Sequence, residues 1–160
     1  TEIAYTAGLR AHELLTLQPR SERTPDPRPA LPTKFEGRED GSRYVVTGKG
    51  GLIREVQLPS HLAARLEAQR LATPRPVTDR HVYYQQHYAI GGGQPWSMAV
   101  SRAAKAALGW STGAHGLRHA YAQERVTELQ TLEHSQKVAN ETVSQELGHF
   151  RPEITTTYLR

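Results

Sequence analysis

The most regular hydrophobic pattern in the chain lies between Ser97 and Leu108. Apolar residues recur there at the three- and four-residue spacing of one helix face, whereas Arg102 and Lys105 fall on the opposite face. Those apolar positions are Val100, Ala103, Ala104, Ala107 and Leu108. The pattern predicts an amphipathic helix over residues 97–108, which Gly109 can end.

Helical spacing also marks the start, the middle and the end of the chain. The opening segment predicts two short helices separated by a Thr-Ala-Gly break at residues 6–8, and Ser60 can cap a third helix that Pro74 and Pro76 would stop. A further helix is predicted to begin near His115. After it come a polar stretch at residues 130–137, a helix that Gly148 ends, and a last helix with Pro152 in its first turn.

Strand-forming residues dominate two runs in the first half of the chain. Residues 44–47 and 52–58 flank a Gly-Lys-Gly-Gly sequence, which predicts a β-hairpin with Lys49 projecting from its turn. Residues 19–43 contain five prolines and predict a long surface excursion with one edge strand. For residues 77–95, which hold three tyrosines and three consecutive glycines, the pattern is ambiguous.

Composition narrows the range of functions. The 160 residues fit one domain, and the absence of cysteine excludes a disulfide framework, a thiolate metal site and a cysteine nucleophile. No segment approaches the roughly eighteen apolar residues of a membrane span. Lysine and arginine total 20 against 16 acidic residues, a net charge of +4, and 16 of the cations are arginine. Such an excess favours forked recognition of phosphate or carboxylate, but it also follows from a GC-rich genome.

The sequence contains a candidate for each group needed to cleave a phosphodiester without a metal. Such a reaction requires a nucleophile, cations on the non-bridging oxygens and an acid for the departing oxygen. The candidates are the arginines Arg10 and Arg118, the lysine Lys49, the histidines His115 and His149, and the nucleophile Tyr158. Each alone has an ordinary structural explanation, such as a surface cation or a packing tyrosine. Their occurrence together favours chemistry.

Four local strings carry these candidates in a fixed order. The first, YTAGLRAHELLTL, contains Arg10 and Glu13, and the second, VTGKGGLIREV, contains Lys49 in its turn. The third, His-Gly-Leu-Arg-His, begins at His115. The fourth, Leu-Gly-His, ends at His149 and is followed nine residues later by Tyr158. Taken together, the four strings resemble those of the tyrosine recombinase (phage integrase) family.

This resemblance implies a fold and a domain assignment. The expected fold is mixed α+β, predominantly helical with a small antiparallel β-sheet, the fold of the tyrosine recombinase catalytic domain. Residues 1–160 would form that domain. Members of the family normally carry a DNA-clamping domain before it and a tail after the tyrosine, so we expect the chain to be a catalytic-domain fragment.

The resemblance also implies a mechanism for site-specific recombination or integration. Tyr158 would attack a DNA phosphorus and form a 3′-phosphotyrosyl link. Arg10 and Arg118 would hold the non-bridging oxygens, and Lys49 would protonate the leaving 5′-oxygen. The two histidines are assigned next: His115 would take or orient the tyrosine proton, and His149 would donate to the phosphate. Glu13 would be a buried orienting partner rather than a catalyst.

The same resemblance sets expectations for cofactors and partners. No cofactor and no metal ion are required, because a 5′-hydroxyl can reverse the covalent step. The partner would be double-stranded DNA, on which four copies of the chain would assemble as a homo-tetramer at paired sites. We expect a bacterial or phage-encoded protein of the cytoplasm, associated with the nucleoid and not with a membrane.

Three alternatives remain open at the level of sequence. Type IB topoisomerases use a similar set of residues to relax DNA. A DNA-binding module could retain the fold without catalysis. A metallohydrolase is the third alternative, in which His115, His119 and His149 would share a zinc ion.

Overall fold

The structure is a computed structural model that describes residues 1–149 and Leu159. Its helices are α1 (Glu2–Ala7), α2 (Ser60–Glu67), α3 (Gly93–Leu108), α4 (Gly116–Thr131) and α5 (Gln136–Glu146). Its strands are β1 (Gln18–Pro19), β2 (Ser42–Thr47), β3 (Ile53–Leu58), β4 (Arg70–Asp79) and β5 (Val82–Tyr88). The expected mixed α+β class, with helices predominating and β-structure antiparallel, is confirmed. The predicted last helix and Tyr158 lie outside the described residues.

The first sheet contains the predicted hairpin. Strands β2 and β3 pair antiparallel from Ser42 opposite Leu58 to Thr47 opposite Ile53, and β1 pairs with the other edge of β2. The chain reverses through a short 3₁₀ turn at Lys49–Gly51. β1 is the edge strand expected in the proline-rich excursion, and it lies at the start of that segment.

The second sheet was not predicted. β4 and β5 form a separate two-stranded antiparallel ribbon, so α2 ends at Glu67 and both Pro74 and Pro76 lie in a strand rather than acting as helix stops. Proline is tolerated in such a ribbon because each strand has one unpaired edge that needs no backbone donor. The sequence pattern failed because the two-residue turn holds Arg80 and His81, not the glycine or asparagine typical of hairpins.

Two helix boundaries differ from the prediction. Ser60 is the first helical residue of α2 and not its side-chain cap, because its hydroxyl donates to the carbonyl oxygen of Asp40. α3 begins at Gly93, four residues before the predicted start, because the Asp79 carboxylate from β4 accepts a hydrogen bond of 2.8 Å from the backbone N–H of Gln94. A cap supplied by a distant residue leaves no local signal.

The predicted apolar stripe of α3 is largely uncovered in the described structure. Leu108 is 63% exposed, and the neighbouring Trp110 is 61% exposed. Only Gly93 is fully buried along the helix. Within the described part of the chain, neither this helix nor any other is long and apolar enough to cross a membrane.

The core has two parts. The larger packs α1, the first sheet and α2 around residues such as Ala4, Val46 and Leu66, and Tyr88 from β5 joins it. The smaller lies between α4 and α5. The proline-rich excursion is fastened to α5, since the backbone N–H of Phe35 donates to the carboxylate of Glu146 over 2.7 Å.

Gly8 connects the two parts of the core at the end of α1. Its φ of +67° is left-handed, and a Cβ at this position would lie 2.8 Å from Leu147 and 2.9 Å from Tyr121. The carbonyl oxygen of Gly8 accepts a hydrogen bond from Arg118 of α4 over 2.5 Å. The first helix is therefore fixed against α4 and α5 at a site that only glycine fits.

We expect Gly8→Ala to lower the free energy of unfolding by about 2 kcal/mol, combining a left-handed backbone penalty with overpacking. Gly109→Ala is the matched control. Gly109 ends α3 at φ +78°, but nothing lies within 4 Å of its added Cβ. It should cost only the backbone penalty of about 1 kcal/mol. Urea unfolding measures both, and equal losses would contradict the close packing around Gly8.

Candidate active site

A buried carboxylate organises the candidate site. Glu13 opens a short 3₁₀ helix, Glu13–Thr16, and its side chain is fully buried. Arg54 from β3 binds it through two parallel hydrogen bonds, Nε to Oε2 at 3.0 Å and Nη2 to Oε1 at 2.9 Å. Burial by itself would raise the pKa of Glu13, but Arg54, Arg118 and the backbone N–H of Arg10 hold it at about 2. Glu13 is therefore ionised at neutral pH.

The two predicted phosphate-binding arginines converge on this carboxylate. The guanidinium groups of Arg10 and Arg118 lie 3.7 Å and 3.6 Å from Glu13 oxygens. Their surroundings differ, because the Arg10 side chain is 28% exposed whereas that of Arg118 is completely buried. Arg10 faces solvent, and Arg118 lies behind it in the protein.

Arg118 also connects the ends of two helices to a predicted histidine. Its Nη1 donates to the carbonyl oxygen of Gly8 after α1, and its Nη2 donates to that of Leu147 after α5 over 3.2 Å. The same Nη2 lies 3.3 Å from Nε2 of His149. One guanidinium thus positions His149 relative to Glu13.

Both predicted histidines are neutral at pH 7. Burial, followed by the positive charges of Arg118 and Arg10, lowers the pKa of His149 to about 4. Burial and Arg118 also lower the pKa of His115, whose ring lies edge-on to that of His119 with centroids 5.4 Å apart. A neutral imidazole can accept a proton, which is the role a general base needs.

Lys49 lies on the turn of the first hairpin, next to a residue that approaches Glu13. The preceding residue, Gly48, approaches Glu13 so closely that an added Cβ would lie 3.2 Å from Oε2. Lys49 and Arg10 both line a cleft of about 1050 Å³ between this turn and the β4–β5 ribbon. We call it the main cleft.

The main cleft is strongly basic. Its cationic lining residues are Arg10, Arg23, Lys49 and Arg80, and Asp79 is the one carboxylate on its described lining. Asp79 is buried and already bonded to the N-terminus of α3 and to Arg80. A phosphate backbone entering this cleft would meet an excess of positive charge.

The predicted residues are not all on one surface. Arg10 and Lys49 share the main cleft, whereas His149 lines a second cavity of about 630 Å³ together with Arg54. Arg118, buried between them, contacts His149 and shares the Glu13 carboxylate with Arg10. Arg10 and Arg118 therefore meet at the Glu13 carboxylate, Lys49 shares the main cleft with Arg10, and His149 is reached through Arg118. His115 lines neither cavity, and Tyr158 lies outside the described residues.

The solved structures that resemble this chain include two DNA complexes of one recombinase. One is the XerH site-specific recombinase bound to palindromic difH substrate in a post-cleavage complex, at a TM-score of 0.57 and 19% identity over 98% of this chain and 39% of that one. The other is a pre-cleavage complex of XerH with difH substrate, at the same TM-score and identity, covering 98% of this chain and 41% of that one. The fold is similar to that of XerH.

The XerH likeness concerns the fold. This chain spans about two fifths of the length of the XerH chains it matches. No protein-family model matches the sequence, and no curated protein matches it.

Arg54 is the main residue of the site that the sequence analysis missed. Beyond its two bonds to Glu13, it donates from Nη1 to the carbonyl oxygen of Glu146 over 2.8 Å. The sequence did contain a signal, because strand alternation places Arg54 on the same face as Val56 and Leu58, which are buried. An arginine on an inward face requires a buried acid as its partner.

A second buried ion pair joins α4 to the last residue of α5. Arg125 of α4 donates to the Glu146 carboxylate from Nε at 3.1 Å, and the Tyr121 hydroxyl donates to the same carboxylate at 2.8 Å. Burial and the Glu146 charge raise the pKa of Tyr121 well above its usual value. Tyr121 is therefore a structural tyrosine.

The zinc alternative has no support in the described geometry. Within residues 1–149 and Leu159, no group of three histidine, aspartate or glutamate side chains is arranged to hold a metal ion. His115, His119 and His149 do not form such a group.

Proposed function

We propose that the chain is the catalytic domain of a site-specific recombinase of the tyrosine recombinase type, which cuts and rejoins duplex DNA through a covalent 3′-phosphotyrosyl intermediate. The supporting observation is the convergence of Arg10 and Arg118 on the buried Glu13 carboxylate, which Gly48 in the Lys49 hairpin also approaches. The likeness of the fold to a site-specific recombinase adds to this support.

In this mechanism the scissile phosphate lies in the main cleft against Arg10. The transition state accumulates negative charge on the non-bridging oxygens, where preorganised cations are most effective. Glu13 is already ionised and holds both guanidinium groups before DNA arrives. Arg118 lies buried beside Glu13, where it supplies positive charge and contacts His149.

The proton transfers balance without a cofactor. The phenol oxygen of Tyr158 forms a bond to phosphorus as the bond to the 5′-oxygen breaks. His115 accepts or orients the phenol proton, and His149 donates a hydrogen bond to the phosphate. Lys49 donates a proton to the departing 5′-oxygen from an exposed turn flanked by glycines. Attack by a second strand's 5′-hydroxyl reverses these steps and rejoins the DNA.

The assembly belongs to the same proposal. Recombination exchanges strands between two duplexes, so four active sites are required at paired sites, and a homo-tetramer supplies them. Residues 1–160 then act as the catalytic part of a longer protein with a separate DNA-clamping domain.

Covalent capture on nicked DNA tests the proposal. A duplex pool with randomised sequence around a nick releases a short fragment after cleavage and so prevents rejoining. We expect a denaturant-resistant protein–DNA adduct that forms in the presence of a metal chelator and is enriched for one target sequence.

Two other outcomes would overturn this assignment. Binding without any adduct would favour the catalytically silent DNA-binding module. Relaxation of supercoiled plasmid with no sequence enrichment in the captured pool would favour topoisomerase-like activity.

A further inference from the structure

The β4–β5 ribbon forms one wall of the main cleft. Its outer end is exposed, with Val82 at 50% and Tyr83 at 85%. The pairing register places Thr78 opposite Tyr83 and Pro76 opposite Gln85, and all four residues are exposed. This face of the outer half of the ribbon is therefore open to solvent.

The base of the ribbon is firmly anchored. The Tyr88 hydroxyl donates to Glu67 over 2.7 Å, and Arg70 binds the carboxylate of Glu22 through two hydrogen bonds of 2.8 and 2.9 Å. Asp79 ties the other end to the start of α3. The exposed end is thus held in place, and a partner would bind it without first ordering it.

The exposed end of the ribbon is positively charged. Arg80 is 56% exposed, and its acidic partner among residues 1–149, Asp79, is 7% exposed and shared with α3. Arg80 lines the same cleft as Lys49 and Arg10 on the other side. An extended polyanion bound at Lys49 would therefore also lie against Arg80.

The backbone of the turn is strained at two residues, and glycine at these positions would avoid the strain. Arg80 and His81 have φ angles of +47° and +66°, in the left-handed region that glycine and asparagine adopt readily. Large basic side chains at strained positions are a reason to look for a binding role.

The shape and chemistry of the ribbon match a DNA groove. A two-stranded β-ribbon fits the major groove, and hydroxyl and amide groups can bond to base edges there. The exposed face offers the Tyr83 hydroxyl and the Gln85 amide, whereas Arg80 at the turn suits a phosphate.

We propose that the β4–β5 ribbon is a second DNA-contacting element, which binds the duplex beside the scissile phosphate with Arg80 on a backbone phosphate and Tyr83 and Gln85 at base edges. This inference rests on the proposed recombinase function. It assigns sequence recognition to a ribbon separate from the Lys49 hairpin.

The first experiment measures how binding of the captured target duplex depends on salt. Arg80→Gly should weaken binding several-fold and reduce the slope of log K against log salt by about 1, as expected for one lost phosphate contact. Its melting temperature should stay equal to or above that of the wild type, because glycine relieves the backbone strain. Arg65→Ala is the control, since Arg65 is 67% exposed, pairs with one carboxylate and lies outside the main cleft.

The second experiment repeats the capture selection with a Tyr83→Ala, Gln85→Ala double variant. We expect the adduct to form still, with sequence preference lost at the positions that the ribbon contacts. Wild-type-like salt slopes for Arg80→Gly together with an unchanged captured sequence would overturn the ribbon proposal alone. Failure of the wild-type chain to form any adduct would overturn the proposed function, and the ribbon proposal with it.

Discussion

Replacing Tyr158 with phenylalanine will abolish the covalent protein–DNA adduct and leave DNA binding unchanged. Phenylalanine keeps the ring but has no oxygen to attack phosphorus. An unperturbed tyrosine has a pKa near 10, so only about one phenol in a thousand is ionised at pH 7. In the proposed mechanism, neutral His115 and the cations that bind the phosphate reduce this barrier. Denaturing gels measure the adduct, and mobility shifts measure binding.

Two other tyrosines make this result specific. Tyr5→Phe is the matched control, because it removes a tyrosine hydroxyl that donates to Glu124 and does not belong to the candidate site. It should form the adduct at the wild-type rate. Tyr84 is the alternative nucleophile to test, since it lines the main cleft and stacks on His12. An adduct that survives in Tyr158→Phe but disappears in Tyr84→Phe would move the nucleophile to the cleft wall.

Replacing Glu13 with glutamine will lower the free energy of unfolding at pH 7 by about 3 kcal/mol. The variant leaves Arg54 and Arg118 buried with no carboxylate between them, and breaking a buried ion pair in this way typically costs about 3–5 kcal/mol. The depression of the Glu13 pKa from 4.5 to about 2 corresponds to about 3 kcal/mol by linkage. The same change should also reduce adduct formation, because Arg10 and Arg118 lose their common partner.

The lowered pKa of Glu13 determines how the stability difference between wild type and variant changes with pH. A carboxylate whose pKa is lower in the folded than in the unfolded state contributes its full stability above the unfolded pKa. That contribution is lost as the pH falls from about 4.5 towards 2. The difference between wild type and Glu13→Gln should therefore be largest at neutral pH and shrink through this window.

Chemical unfolding at a series of pH values tests the prediction. Glu2→Gln is the control, because Glu2 is 64% exposed and pairs only with Arg65 among the described residues. It should stay within about 0.5 kcal/mol of the wild type at every pH. A Glu13→Gln variant as stable as the wild type at neutral pH would show that the buried carboxylate does not hold the site together.

The elements that the sequence predicted correctly are each determined by residues close together in the chain. The first hairpin follows from β-rich runs around a glycine-rich turn, and α4 begins at Gly116, next to the start predicted near His115. Gly148 ends the segment of α5 with a φ of +80°. Each of these depends on residues close together in the chain, so a single sequence carries the full signal.

The elements that the sequence missed depend on distant partners. The second ribbon uses prolines and an Arg-His turn, which local rules reject, and it is stabilised by its bonds to Glu22 and Glu67. The early start of α3 requires Asp79 from β4. No local pattern reports a contact whose partner lies 15 or more positions away.

The candidate site shows the same division between features with a local signal and features that depend on distant contacts. By itself, the sequence determined which residue types are present, their order, and the resemblance that makes Arg10, Lys49, His115, Arg118, His149 and Tyr158 candidates. The resemblance also cast Glu13 as a buried orienting partner. Only the tertiary structure decided that Arg54 binds Glu13, and that Arg118 is enclosed while Arg10 faces a basic cleft. The physical reason is that side-chain identity is local, whereas burial and ion pairing are created when segments far apart in the chain exclude water together.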